Sequence, residues 1–198
     1  EWHQVFYPSE AYKTVPPCPR RKKEGSSLVV QVGNSANPTN RHLEVFEALS
    51  KVDFIEKVVC PLSYGRKDYA EEVTKAGTRL FGDRFLPLAE FIDPHEYAEI
   101  LASVDAAVMN HDRQQAVGNI ALNLMHGNRV FLRKTVTTTG FFKSLGADIF
   151  STEDLLADPN GALLASMTAD PWKSVSAVQS FFSDEHCKAL WQEVFLPD

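Results

Sequence analysis

Residues 105–132 read DAAVMNHDRQQAVGNIALNLMHGNRVFL, and this stretch decides the fold. Ala106 to Met109 is an apolar run of strand length. Asn110 to Gln115 is a polar loop. Val117, Ile120, Ala121, Leu124 and Met125 then recur at helical spacing. Gly127 is placed to end that helix in a left-handed cap, and Val130 to Leu132 starts the next strand. The stretch therefore predicts a strand–loop–helix–strand unit. In a parallel α/β sheet, the loop between strand end and helix start is where ligands bind. The helix start offers unpaired N–H groups and a positive dipole end, which suit phosphate. Gly118 lets the backbone come close to a bound group.

The same alternation extends outward on both sides. Leu28 to Val32 is a continuous β-rich run, followed by Gly33-Asn34-Ser35. Asn37 before Pro38 predicts a helix N-cap with proline in the first position, and Leu43, Phe46 and Leu49 give the helix its apolar face. Val58 to Cys60 predicts a second strand that ends in the Pro61–Gly65 loop. A helix over about Asp68 to Ala76 is expected to close at Gly77. Phe85 to Leu88 predicts a third strand, and Asp93-Pro94-His95-Glu96 has the form of a capping box. Beyond the organising stretch, Thr139 is expected to cap a short helix and Ala147 to Phe150 to form a sixth strand. From Thr152 the pattern is helical, ending in Val178 to Phe195. Six strands alternating with helices predict an α/β fold with a doubly wound, mostly parallel, Rossmann-like sheet over residues 28–198.

Composition narrows the function classes. The 198 residues are 44% hydrophobic and 23% charged, the balance of a globular chain. A net charge of −6 argues against non-specific nucleic-acid binding. The one basic run, Arg20 to Lys23, lies in a proline-rich stretch and reads as a solvated linker. Cys18, Cys60 and Cys187 are distant from one another and show neither metal spacing nor a disulfide framework, so a reducing cytoplasm is the default expectation. No apolar run approaches the ~20 residues of a membrane span, and no signal peptide is legible. Residues 1–27 carry no periodic apolar pattern and are expected to be a linker or interdomain arm from a preceding domain.

Three constellations carry chemistry. Gly33, Asn34 and Ser35 follow the first strand. Neither a full GxGxxG fingerprint nor a P-loop is present, but Asn34, Ser35, Asn37, Thr39, Asn40 and His42 make a loop rich in donors. Arg113, Gln114 and Gln115 precede the helix that holds Gly118, Asn119 and Asn123. An arginine there can pair two phosphate oxygens, and the amides can hold sugar or base edges. Tyr64, beside Gly65 at the end of the second strand, offers a ring that can stack on a base. His111 is the one histidine inside a candidate loop. No Ser–His–Asp set and no acid–base carboxylate pair is legible.

VGNSANPTNRHLE, VVCPLSYG with YAEEVTKAG, and RQQAVGNIALNLMHGNRVFL together resemble the C-terminal domain of a two-domain GT-B glycosyltransferase. More narrowly, the chain resembles the TDP-N-acetylfucosamine:lipid II N-acetylfucosaminyltransferase family of enterobacterial common antigen assembly. The resemblance implies a TDP- or UDP-linked sugar donor and a polyprenyl-diphosphate-linked saccharide acceptor. It also implies metal-independent transfer with no cofactor, at the cytoplasmic face of the bacterial inner membrane. An N-terminal GT-B domain would hold the acceptor, make any peripheral membrane contact and usually supply the base. This stretch alone is then expected to be inactive in transfer, with His111 the first candidate for a base within it. Many GT-B enzymes place two glutamates around this helix, near the donor sugar and on the ribose; Gln115 and Asn123 stand there here. A stand-alone nucleotide-binding or regulatory α/β module without catalysis is the alternative reading.

Overall fold

A computed structural model of the chain describes residues 27–195; the linker expected over 1–27 lies outside them but for its last residue. The sheet has six parallel strands: β1 (Leu28–Val32), β2 (Ile55–Pro61), β3 (Phe85–Leu88), β4 (Ala106–Met109), β5 (Arg129–Leu132) and β6 (Ile149–Ser151). Their spatial order is β3-β2-β1-β4-β5-β6. The chain winds outward from β1 in one direction and from β4 in the other. Between these two strands the connections part, leaving a crevice at the strands' C-terminal ends.

The helices are α1 (His42–Leu49), α2 (Lys67–Phe81), α3 (Pro94–Ser103), α4 (Val117–Met125), α5 (Thr137–Ser144), α6 (Thr152–Ala157), α7 (Pro159–Met167), α8 (Pro171–Phe181) and α9 (Asp184–Phe195). Strand side chains alternate between the faces. On one face, Val30, Val32, Val58, Cys60, Ala106, Val108 and Phe131 pack against Val45, Phe46 and Leu49 of α1, Val73 and Phe81 of α2, and Leu155 and Leu163 of α6 and α7. On the other, Ala107, Met109, Val130 and Leu132 pack against Ile120, Leu124 and Met125 of α4, Phe142 of α5 and Val178 of α8. Val29 and Val59 meet Tyr97 and Ile100 of α3. Both faces are covered, which is why β1 and β4 are buried at every position. Among the described residues no helix is long and apolar enough to cross a membrane.

The sequence places β1, β3, β4 and α4 where the structure has them; β2 is longer than the expected Val58 to Cys60, β6 lies at Ile149–Ser151 and not at Ala147 to Phe150, and four further expectations need correction. Gly77 does not end α2, which runs on to Phe81. A Cβ at Gly77 would lie 2.3 Å from the Phe85 ring, so the glycine serves packing between helix and strand. Asn37 caps only a single 3-10 turn, Pro38–Asn40, and α1 starts at His42 after a left-handed Arg41 (φ 48°). Thr139 lies inside α5, and its hydroxyl donates to the Arg133 carbonyl at 2.7 Å. The last helical stretch divides into α8 and α9, with Phe182 and Ser183 between them.

Candidate functional site

The loops after β1, β2 and β4 meet at the crevice. Ala36 and Gly65 form a bridge between the first two loops. The Ala36 N–H donates to the Tyr64 carbonyl at 2.6 Å, and the Arg66 N–H to the Ala36 carbonyl at 2.9 Å. Gly65 has φ +122°, and a Cβ there would stand 2.4 Å from the Ala36 oxygen, so only glycine allows this junction. Tyr64 is 81% exposed beside it.

Gly33 sits at the end of β1 in left-handed conformation, φ +68°. Its missing side chain makes room on the protein's own side: a Cβ would meet Nε2 of His42 at 2.3 Å. His42 is fully buried, with Nδ1 3.2 Å from the Tyr69 hydroxyl. The space left by the missing Gly33 side chain is occupied by this imidazole.

Much of the donor-rich loop is spent internally. The buried Asn40 gives its Nδ2 hydrogens to Ser35 O (3.0 Å), Ser35 Oγ (3.3 Å) and Asn37 O (3.2 Å). Gln115 crosses from the β4–α4 loop and ties the two loops together. Its Nε2 donates to Asn34 Oδ1 and Asn40 Oδ1, each at 3.2 Å. Its Oε1 accepts from Arg113 Nε at 3.0 Å and from the Thr39 hydroxyl at 2.9 Å. Arg113 and Gln114 are exposed.

The start of α4 is bare. Ala116 precedes it in left-handed conformation (φ 61°), no side chain caps it, and no acidic residue lies in its first turn. By contrast α3, α6, α7 and α8 are capped by Asp93, Ser151, Asp158 and Asp170. Arg41 and Ala116 are the only non-glycine residues with positive φ among those described, and they precede α1 and α4, the two helices that flank the crevice. Such strain costs about 1–2 kcal/mol per residue and clusters at ligand sites. Gly118 and Asn119 occupy the first turn of α4, half-buried.

Asn123 lies deeper than the sequence implies. It is fully buried, and its Nδ2 donates to Gln31 Oε1 (3.2 Å) and Asn119 O (2.9 Å). Its Oδ1 accepts from Asn128 Nδ2 at 2.9 Å. Gln31, itself fully buried, also donates to Gly33 O (2.9 Å) and Asn119 Oδ1 (3.2 Å), and the Tyr97 hydroxyl donates to Asn119 Oδ1 at 2.8 Å. The ribose contact expected of Asn123 is thus replaced by a structural role, because its amide is consumed inside the fold. Asn123→Leu leaves Gln31 Oε1 and one Asn128 hydrogen unpaired. We expect it to lower stability by about 2 kcal/mol in urea unfolding while nucleotide affinity of the folded variant is unchanged. Lost affinity at unchanged stability would restore the ribose assignment.

His111 is fully buried. Neither ring nitrogen has a hydrogen-bond partner among the described residues. Burial, with smaller effects from Arg113 and Arg133, pushes its pKa down to about 4 against the pull of Asp112. The imidazole is neutral near pH 7 but not presented at an open surface, which corrects the expectation of a base facing an acceptor.

A second group on this edge was not legible in the sequence. Arg133, the first residue after β5, donates through Nε to Asn110 Oδ1 at 2.9 Å and through Nη2 to Glu44 at 3.4 Å. Asn110 Nδ2 donates to Glu44 at 3.1 Å. Arg41 pairs with both Asp112 (2.9 Å) and Glu44 (3.2 Å). Position just past a strand end is the signal that could have found Arg133; the pairing with Glu44 spans 89 residues and leaves no local pattern.

Known structures share this architecture. The apo structure of OtsA matches with a TM-score of 0.65 at 13% identity, covering 98% of this chain and 51% of that one. HepE from Anabaena, in complex with UDP and glucose, matches with a TM-score of 0.63 at 16% identity, covering 85% and 47%. The alpha,alpha-trehalose 6-phosphate synthase of Burkholderia multivorans gives 0.61 at 13%, covering 87% and 42%. At these identities the likeness is one of fold, that of GT-B glycosyltransferases, and the chain spans about half the length of these proteins or less. The family model of the 4-alpha-L-fucosyltransferases, glycosyl transferase group 56, matches residues 1–156, and the chain belongs to that family.

Proposed function

We propose that this chain is the donor-binding half of a glycosyltransferase that moves an N-acetylated deoxyhexose, such as N-acetylfucosamine, from a TDP-sugar to a polyprenyl-diphosphate-linked acceptor. The observation that carries this is the start of α4, uncapped, without acidic residues and preceded by a strained Ala116, beside the exposed Arg113. A diphosphate fits there: the free N–H groups and dipole end favour anions, and the guanidinium can pair two oxygens. As the sugar leaves, negative charge grows on the nucleoside diphosphate, and these groups stabilise it where it forms. Gly33, Asn34 and Ser35 bound the site from the β1 side, Tyr64 offers a face for the base, and Gln114, Gly118 and Asn119 stand at its α4 side. The acceptor and the general base belong to a second GT-B domain, which would also bring the site to the cytoplasmic face of the membrane.

Among the described residues Arg113 makes one side-chain hydrogen bond, to Gln115, and it is solvent-exposed, so Arg113→Ala is expected to leave the fold intact. A charged hydrogen bond contributes roughly 1.5–3 kcal/mol. Affinity for UDP or dTDP measured by calorimetry should therefore fall at least about tenfold. Unchanged affinity in the folded variant would remove Arg113 from the site.

A further inference from the structure

The surroundings of Gln115 show why its amide, and not a carboxylate, fits between the two loops. Asn40 spends its Nδ2 on the Ser35 and Asn37 backbone carbonyls. Carbonyls only accept, so the amide of Asn40 cannot turn over, and its Oδ1 must face Gln115. Gln115 meets that oxygen and Asn34 Oδ1 with its two Nε2 hydrogens. A carboxylate would set acceptor against acceptor at the Asn40 contact. On the other side, Oε1 takes the Arg113 Nε hydrogen and a share of the Thr39 hydroxyl hydrogen, which is divided with Asn37 Oδ1 at 2.9 Å. Both hydrogens and both lone-pair directions of the amide are engaged by protein.

We infer that Gln115 is a positioning residue: it does not bind the donor itself but holds Arg113 against the Asn34–Asn40 loop, so that the loops after β1 and β4 act as one clasp on the diphosphate. This rests on the donor-site reading above. The guanidinium is aimed by its bond to Gln115, and that bond is aimed in turn by the fixed Asn40 carbonyl. Without Gln115, Arg113 keeps its charge and loses its direction.

The test is a double-mutant cycle of Arg113→Ala and Gln115→Ala, titrated calorimetrically with whichever of UDP and dTDP binds the wild type more tightly, and with the matching nucleoside by NMR. If Gln115 acts through Arg113, each single variant loses about tenfold in diphosphate affinity and the double variant loses no more than either. Nucleoside binding is unchanged, because neither residue addresses the base; a general collapse of the site would lower both. Gln115→Met, of similar length without hydrogen bonds, replaces alanine if that variant does not fold. In the wild type, the Gln115 side-chain amide hydrogens stay protected from exchange with and without nucleotide. Additive losses of about a hundredfold in the double variant, undiminished affinity in Gln115→Ala, or amide protection lost on nucleotide addition would each overturn the inference. A wild-type chain that binds neither nucleotide would overturn the donor-site reading itself.

Discussion

Gly33→Ala is expected to destabilise the chain by about 2–5 kcal/mol, the sum of a left-handed backbone cost of about 1–2 kcal/mol and an overpacking cost of about 1–3 kcal/mol. The backbone cannot relax out of φ +68°: its N–H donates to Val108 O at 2.9 Å and its carbonyl accepts from Gln31 Nε2 at 2.9 Å. The new Cβ would stand 2.3 Å from His42 Nε2 and 2.9 Å from Cδ2. His42 is enclosed on every side, so it has nowhere to go. For a chain of this size, 3 kcal/mol corresponds to a fall of roughly 6–12 °C in Tm. The steric part is separable from the conformational one. In a His42→Ala background the ring is gone, and Gly33→Ala should then cost only the backbone part, about 1–2 kcal/mol. Equal cost in both backgrounds would contradict the assignment of His42 as the obstacle. A Gly33→Ala variant as stable as wild type would contradict the whole geometry.

Stability is expected to fall steeply on mild acidification. His42 and His111 are buried, and burial holds the pKa of each near 4 rather than 6.5. His42 faces the Tyr69 hydroxyl and the Gly33 backbone; His111 is influenced by Asp112, Arg113 and Arg133. The folded pKa lies below the unfolded one, so the unfolded chain binds protons first as pH drops. Stability is therefore full above about pH 6.5, is lost as pH falls toward 4, and levels off below. A shift from 6.5 to about 4 corresponds to on the order of 3 kcal/mol for each residue, a large part of the stability of an ordinary domain. His126, lowered by burial as well, acts in the same direction. At pH 5 ordinary carboxylates, with pKa values of about 3.9–4.3, are still mainly ionised, so urea unfolding at pH 7 and pH 5 reads chiefly the histidines. His111→Leu should reduce the difference by about half. Equal stability at the two pH values would show that these imidazoles are solvated or paired.

What the sequence made legible follows from how local each cause is. β4 is a continuous apolar run, and β1 is one but for Gln31, because both faces of the sheet are covered, and a pattern of that kind is visible within a few residues. The bounds of α4 were legible because Gly127, at φ +79°, ends it with its own backbone freedom. β2 starts earlier than its apolar part because Glu56 and Lys57 are exposed and break the pattern. Gly77 was misread because nothing nearby announces the Phe85 ring that requires it. The loops that meet at the crevice are marked by their place after strands, a rule that needs no contacts. The roles within them were not, because those are set across the fold. Asn123 reaches Gln31, 92 residues away, and Gln115 reaches Asn34, 81 residues away. From sequence, a donor aimed outward and a donor satisfied inward look alike.

In the proposed donor site a nucleoside diphosphate lies across the start of α4, between the loops after β1 and β4. The most direct measurement is a titration of the isotopically labelled chain with UDP and with dTDP, followed through backbone amide resonances. Saturable shifts are expected at residues 33–36 and 113–119, with Tyr64 also affected and residues of α7 and α9 unmoved. Saturable shifts centred elsewhere, or no shift with either nucleotide at millimolar concentration, would contradict that placement.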